Sequence, residues 1–307
     1  MINRLLSTLK KQFQSKTTDP HSQSQDTEAS AITKELDKVT TPVETETVGY
    51  SSPLINVGYG LSSGKQRTHN EDAFFTQTTM FSFNESEIPF GLYIVADGMG
   101  GHKNGEIASE LAIRTIVGYI LTEIYTPMMS LNPQPSELSY REVFQSGIEK
   151  ANNEILKNSY GGGTTVTAIL IVGEQMTIAH VGDSRVYSVD EEGNLEALTR
   201  DHSLVKRLQE LGQITPEEAA VHPQRNVLYR ALGQGEPFEP EIISTSRPDK
   251  GSLLICSDGL WSILTQEIIS EIIKSCTSPQ QTCDKLIDAA NDAGGPDNIS
   301  AIFVEIS

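Results

Sequence analysis

The sequence is poor in cysteine, in tryptophan and in positive charge. Its three cysteines, Cys256, Cys276 and Cys283, are too few and too scattered for a disulfide framework or a thiolate zinc site. No run of about 18 apolar residues could span a bilayer, and nothing resembles a secretory apolar core, so the expected compartment is the reducing cytoplasm. Lys and Arg number 23 against 41 Asp and Glu, a net charge of −18, which excludes the basic footprint of non-specific nucleic-acid binding. No internal repeat of solenoid-like period is present. Asn84-Glu85-Ser86 and Asn298-Ile299-Ser300 match the glycosylation triplet, but a cytoplasmic chain would not use them.

The acidity is unevenly spread. Residues 1–52 carry six basic and seven acidic side chains, so −17 of the −18 belongs to the remainder. Within 1–16, Ile2, Leu5, Leu6, Leu9 and Phe13 recur at helical spacing, with Arg4, Lys10, Lys11 and Lys16 and no acid. That pattern predicts a short basic amphipathic helix able to dock on an anionic membrane surface or on a partner. Residues 17–52 are rich in Ser, Thr, Gln, Pro and charge, a composition that cannot bury enough apolar surface to order itself and reads as linker.

From residue 53 to 307 the pattern is globular. Short Val/Ile/Leu-rich runs predict strands at Leu92–Ala96, Val166–Val172, Met176–Val181, Arg185–Val189, Ser252–Ser257 and Ile299–Val304. Periodicity predicts helices at Glu106–Ile124, Arg141–Lys157, Glu267–Lys274 and Gln280–Ala293. Short links between consecutive strands point to antiparallel meanders, hence an α+β fold with helices covering sheet faces. Residues 201–233, with few strand signals and a Thr215-Pro216-Glu217-Glu218 helix start, read as a small insertion.

Carboxylates recur at the ends of these runs. They are Asp97 before Gly98, Asp258 before Gly259, Asp183 between Gly182 and Ser184, Asp297 just before a strand, and the adjacent pair Glu71-Asp72. One Asp-Gly alone is ordinarily a tight turn. Several sheet-edge carboxylates brought together would repel, and a bound cation relieves that repulsion; oxygen-only donors favour Mg²⁺ or Mn²⁺. Arg67 supplies a guanidinium suited to gripping phosphate through paired hydrogen bonds.

The spelling of these motifs resembles the metal-dependent PP2C-type (PPM) protein serine/threonine phosphatases, in their bacterial branch. It runs through Gly64-Lys65-Gln66-Arg67-Thr68-His69-Asn70-Glu71-Asp72 and Asp97-Gly98-Met99-Gly100-Gly101-His102, then Gly163-Thr164-Thr165 and Gly182-Asp183-Ser184-Arg185. It continues through Asp201-His202-Ser203 and Arg230-Ala231-Leu232-Gly233 to Ser257-Asp258-Gly259-Leu260-Trp261 and Pro296-Asp297-Asn298-Ile299-Ser300. The resemblance implies a central antiparallel β-sandwich flanked by helices on both faces, with 201–233 as a flap beside the cleft. It further implies two core Mn²⁺ or Mg²⁺ ions. Asp97 would bridge them, the Gly98 carbonyl would ligate one, Asp258 and Asp297 would complete a shell, and Asp72 and Glu71 would act through water. Asp183 matches the position of a third, weaker ion.

The expected reaction is direct attack by a metal-activated water, which requires no nucleophilic side chain. The leaving alkoxide still needs a proton. His102 is the candidate donor, with His69 the alternative, because eukaryotic-type members place a histidine where Met99 stands here. Ser62 replaces an aspartate frequent in the family. A phosphate-reading centre leaves open whether the ester is a protein or a small molecule, although the resemblance favours phosphoproteins, opposition to a serine/threonine kinase in signal transduction, and a monomer. A non-catalytic binding module of the same fold would be expected to lose ligands, and none is lost. Gly60-Leu61-Ser62-Ser63-Gly64-Lys65 is one residue short of a P-loop and is followed by Gln66 where a hydroxyl is needed.

Overall fold

The computed structural model describes residues 54–83, 86–100, 103–131, 138–235 and 239–307. The expected N-terminal helix (1–16), the linker (17–52), Asn84 and His102 lie outside the described residues.

Two antiparallel sheets stack face to face. The first takes β1 (Ile55–Ser62), β11 (Ile299–Ile306), β10 (Gly251–Cys256), β7 (Arg185–Val189) and β8 (Leu195–Ala197) in that order. The second takes β2 (Asp72–Phe83), β3 (Ser86–Met99), β5 (Val166–Val172), β6 (Gln175–Val181) and β9 (Glu241–Ser246), with the two-residue β4 (Gly163–Thr164) paired to the end of β3.

Alternation along each strand explains the layering. In β3, Tyr93 and Val95 point between the sheets, where they meet Ile169, Ile178, Val186, Ile255 and Ile302. Leu92, Ile94 and Ala96 point outward onto α1 (Lys103–Ile120) and α2 (Tyr140–Asn158), against Ala112, Ile116, Phe144 and Ile148. On the other side Tyr187, Leu254, Ala301 and Phe303 pack beneath α6 (Gln266–Lys274) and α7 (Pro279–Asp292), against Ile269, Cys283 and Leu286. Both faces of the central strands are therefore covered, which is why they read as unbroken apolar runs.

The helices begin where capping chemistry allows. Ser139 and Thr215 each form a capping box, with Glu142 and Glu218 respectively. The expected helix to Ile124 changes character after Ile120. A π-helical turn spans Leu121–Tyr125, in which Thr126 N–H bonds five residues back to Leu121, followed by a last turn at Thr126–Met128. Pro127 has no N–H for Glu123, so the regular ladder could not have passed through it. The 201–233 segment holds only α3 (Leu204–Glu210) and α4 (Pro216–Ala220). Thr164 and Leu232 exchange backbone hydrogen bonds at 3.1 and 2.9 Å, tying its far end to β4.

Candidate metal centre

The register gathers the acidic residues at one end of the sandwich. Asp72 at the start of β2 pairs with Asp97 near the end of β3. Asp258 opens the short helix α5 (Asp258–Trp261) directly after β10, and Asp297 precedes β11 by two residues. Asp183 lies in the turn carrying the chain from β6 in one sheet to β7 in the other.

The glycines beside Asp97 and Asp258 are there for close approach. Neither is at positive φ. Gly98 lies within strand β3, where a Cβ would come within 2.4 Å of the Gly105 carbonyl oxygen and 2.5 Å of that of Glu71. A Cβ on Gly259 would stand 1.9 Å from the Asn298 carbonyl oxygen. Neither glycine therefore serves by supplying the positive φ of a tight turn.

Polar side chains hold the loops. Asn298 accepts from Glu71 N–H at 2.8 Å and donates to the carbonyls of Ser63 (3.1 Å) and His69 (2.9 Å), joining the β1–β2 loop to the start of β11. It is buried and fully engaged, so its triplet is no glycosylation acceptor. Thr165 Oγ1 accepts from Asp97 N–H at 3.0 Å, and Thr164 Oγ1 donates to Asp97 O at 2.9 Å. Ser257 donates to Asp72 Oδ2 at 2.8 Å while accepting from Ser300 N–H at 2.9 Å, a structural bridge and not a nucleophile. Ser62, in place of the family's aspartate, accepts from Gly64 N–H at 3.1 Å and so caps its own turn. Cys256 is wholly buried at the end of β10, with its thiol pushed up to about 12 by burial.

The electrostatics show what this end of the molecule lacks. Burial pushes the Asp72 carboxyl up to about 7, opposed by the Ser257 hydrogen bond and assisted by the charge of Asp258. Burial and then Asp297 push Asp258 up to about 6, its contact with the Asp97 carboxyl and the nearby Arg67 acting the other way. Asp97 is raised well above the carboxylate range by burial and by Asp72, Asp258, Asp183 and Asp297; Asp183 is raised likewise by burial, Asp258 and Asp201. The Asp97 and Asp258 carboxyls act directly on each other, the charge of Asp258 helping to hold Asp97 up.

Asp72 Oδ1 is buried without a hydrogen-bond partner, and the Ser300 hydroxyl near it makes no well-formed bond. A buried anionic oxygen left this way is costly unless a cation completes it. Among the described residues no three His, Cys, Asp or Glu side chains already stand as a finished cation cage. The donor chemistry fits nonetheless. An oxygen-only set of desolvated carboxylates suits a hard divalent ion, which would relieve their mutual repulsion.

Of the other expected residues, Arg67 donates to Asp297 Oδ2 at 2.7 Å, with half of its side chain exposed. The remaining Asp297 oxygen accepts from Asn298 N–H at 2.9 Å. The Glu71 carboxylate borders Gly105, where a Cβ would fall 2.2 Å from its Oε2. Reading the motifs missed the roles of Ser257 and Asn298, although both lie inside them, because their partners are more than 180 residues away in sequence.

Comparison with known proteins agrees with this arrangement. The protein phosphatase 2C family model matches residues 58–299. The serine/threonine phosphatase stp of Listeria monocytogenes is 37% identical over 251 residues, covering 79% of this chain and 92% of that protein. A Streptococcus agalactiae serine/threonine phosphatase structure superposes with a TM-score of 0.70 at 32% identity, covering 83% of this chain and all of that one. The catalytic domain of the serine/threonine protein phosphatase PstP, solved in complex with two manganese ions, gives 0.66 at 28% identity, over 83% of this chain and 99% of that one.

Proposed function

The chain belongs to the protein phosphatase 2C family, and from that premise we propose that it is a metal-dependent enzyme hydrolysing phosphoserine and phosphothreonine in proteins. The carrying observation is the set of buried, mutually raised carboxylates at one sandwich end, Asp72, Asp97, Asp183 and Asp258, with Asp72 Oδ1 unpartnered. Relatives named as serine/threonine phosphatases and the two-manganese PstP structure support the reading.

Asp97, Asp258 and Asp297, with the Gly98 carbonyl, would hold the core ions, Mn²⁺ or Mg²⁺. Asp72 and Glu71 would reach them through water, and Asp183 would serve a third, weaker one. Two such ions supply a water acidified towards neutral pH and neutralise charge on the phosphoryl oxygens during in-line displacement.

The chain's own groups do the rest. Arg67, pre-oriented by Asp297, presents its remaining N–H donors to the phosphate at the half-exposed mouth of the site. Ser257 holds the Asp72 carboxyl and Thr165 the Asp97 backbone, which limits reorganisation at this end during reaction. His102 is the proposed proton donor to the serine or threonine alkoxide. No residue here need form a phosphoenzyme, and Ser257 and Cys256 are both committed elsewhere.

The functional test is hydrolysis of a phosphothreonine peptide and of an aryl phosphate by the full chain with Mn²⁺, with Mg²⁺ and with chelator. Turnover that needs the metal is expected, and undiminished turnover in chelator contradicts the reading. Opposition to a serine/threonine kinase, a monomeric state and cytoplasmic action belong to the same proposal. No helix among the described residues is long and apolar enough to cross a membrane. The basic sequence of residues 1–16 is the part assigned to surface or partner docking. Flotation on anionic vesicles that is unchanged by Lys10→Glu with Lys11→Glu removes the membrane form of that assignment.

A further inference from the structure

The sole tryptophan of the sequence, Trp261, lies at the centre of a partly buried arrangement that the proposed chemistry does not use. It ends α5, the turn of helix that Asp258 begins. Its indole Nε1–H donates to the backbone carbonyl of Asp183 at 3.0 Å. Over its ring lies the Arg185 guanidinium, 3.4 Å from the centroid. All three nitrogens of that guanidinium donate elsewhere. Nε and Nη2 make a two-pronged pair with Asp201 at 2.8 and 2.7 Å, and Nη1 donates to the Tyr187 hydroxyl at 2.9 Å.

Three consequences follow from this geometry. First, Arg185 donates no hydrogen bond to the Asp183 carboxylate, on which it acts by charge, while its contact toward the Asp183 backbone runs through the indole. Second, pairing with Asp201, whose side chain is only 8% exposed, offsets part of the charge of Arg185, so it repels a cation beside Asp183 less than an unpaired guanidinium would. Third, the same contacts anchor the near end of the 201–233 flap. Asp201 is its first residue, and its second, His202, donates N–H to Gly182 O at 2.7 Å and accepts from Gly182 N–H at 3.1 Å through Nδ1. One rigid plane, guanidinium on indole, thus spans the backbone of Asp183, the helix of Asp258 and the root of the flap.

We propose that Arg185 is a positioning residue which, through Trp261 and Asp201, sets Asp183 relative to Asp258 and thereby tunes divalent-cation binding at Asp183. The proposal rests on the metal-dependent reading above. A lysine at 185 keeps the charge but loses both the two-pronged grip and the planar stack. Phenylalanine at 261 keeps a stacking ring and loses only the N–H donor. Either change loosens Asp183 while leaving Asp97 and Asp297 untouched.

The test uses the full chain and Mn²⁺ as probe, read by electron paramagnetic resonance of free Mn²⁺ and by the emission of the single tryptophan. In the wild type, emission should be quenched in a weaker binding phase that Asp183→Asn abolishes. In Arg185→Lys and in Trp261→Phe the weaker phase should shift to at least about fivefold higher Mn²⁺, with the tighter phase unchanged. A residue that merely stabilises the fold would lower the melting temperature without moving that phase. If one variant fails to fold, the other carries the test by resonance alone. Weaker-phase binding within twofold of wild type in the folded variants, or quenching that survives Asp183→Asn, overturns the inference while leaving the phosphatase reading intact. A wild type that binds no Mn²⁺ overturns both.

Discussion

Asp72 and Asp97 face each other directly across the β2–β3 ladder, so two neighbouring strands deliver two carboxylates to one buried face. The charge of Asp72 is the largest influence on Asp97 after burial itself. Replacing one of the pair therefore has opposite effects on stability and on catalysis. Asp97→Asn should raise the melting temperature of the metal-free protein, by about 1 kcal/mol or more of relieved repulsion. It should also lower metal-dependent hydrolysis at least about a hundredfold, as loss of several kcal/mol of transition-state stabilisation implies. Thermal melts and phosphopeptide assays on one preparation decide it; a variant both destabilised and active contradicts the account.

The raised carboxyls also give the metal-free protein an unusual pH dependence. A group whose folded value lies above its unfolded one stabilises the fold at low pH and loses that contribution as pH rises through the folded value. Asp72, pushed up to about 7, therefore predicts that stability in chelator falls as pH rises from about 6.5 and levels off by about 8, and Asp97 and Asp183, raised in the same direction, act in the same sense. His180 and His202, driven down to about 4 and about 3 by burial, are neutral across that window in the folded protein and largely so in the unfolded chain, so they contribute little to the slope. Below pH 6.5 they act in the opposite sense, costing stability as pH falls. Added Mg²⁺ should flatten the slope above 6.5, and melting curves at pH 6.5 and 8 with and without metal measure it.

Arg67 and Asp297 pair at 2.7 Å, yet the arginine side chain is half exposed, so the pair itself contributes about 1 kcal/mol or less to stability. Its value is as a phosphate grip. Arg67→Ala should leave the melting temperature nearly unchanged and cost about 10- to 100-fold in kcat/KM, the loss of a charge-assisted bond. Steady-state kinetics with a phosphothreonine peptide would expose an error, since an unchanged kcat/KM removes Arg67 from the site.

The proton donor can be separated from the rest of the machinery by the leaving group. An aryl phosphate expels a stable phenolate and needs little protonation, whereas a threonine alkoxide needs it strongly. His102→Ala should slow phosphothreonine-peptide hydrolysis about 100-fold or more and aryl phosphate hydrolysis far less. The same selectivity in His69→Ala, and not in His102→Ala, would transfer the role to His69.

Legibility in the sequence followed where the determining contacts lie. Strands covered on both faces, such as Val166–Val172, announced themselves as apolar runs because every residue but the half-buried Val172 is buried. β2, with Thr76, Gln77, Thr78 and Thr79 on a half-exposed edge, and β1, broken by Gly58 and Gly60, did not. Their extended state comes from pairing with β3 and β11 and not from local preference. The candidate carboxylates Asp97, Asp183 and Asp258 were legible as types beside glycine, but whether Gly98 and Gly259 served turns or close approach depended on Gly105, Glu71 and Asn298, which only the fold brings near. Trp261, Arg185 and Asp201 each looked like an ordinary motif residue until the sandwich closed them on one another.

Whether these aspartates hold cations is decided by isothermal titration calorimetry of the chelator-treated full chain with Mn²⁺. At least two ions should bind per chain, with proton release from the carboxyls that burial holds up, and the tight binding should be lost in Asp97→Asn. Absence of Mn²⁺ binding in the wild type, or binding unchanged in Asp97→Asn, would contradict a cation site here.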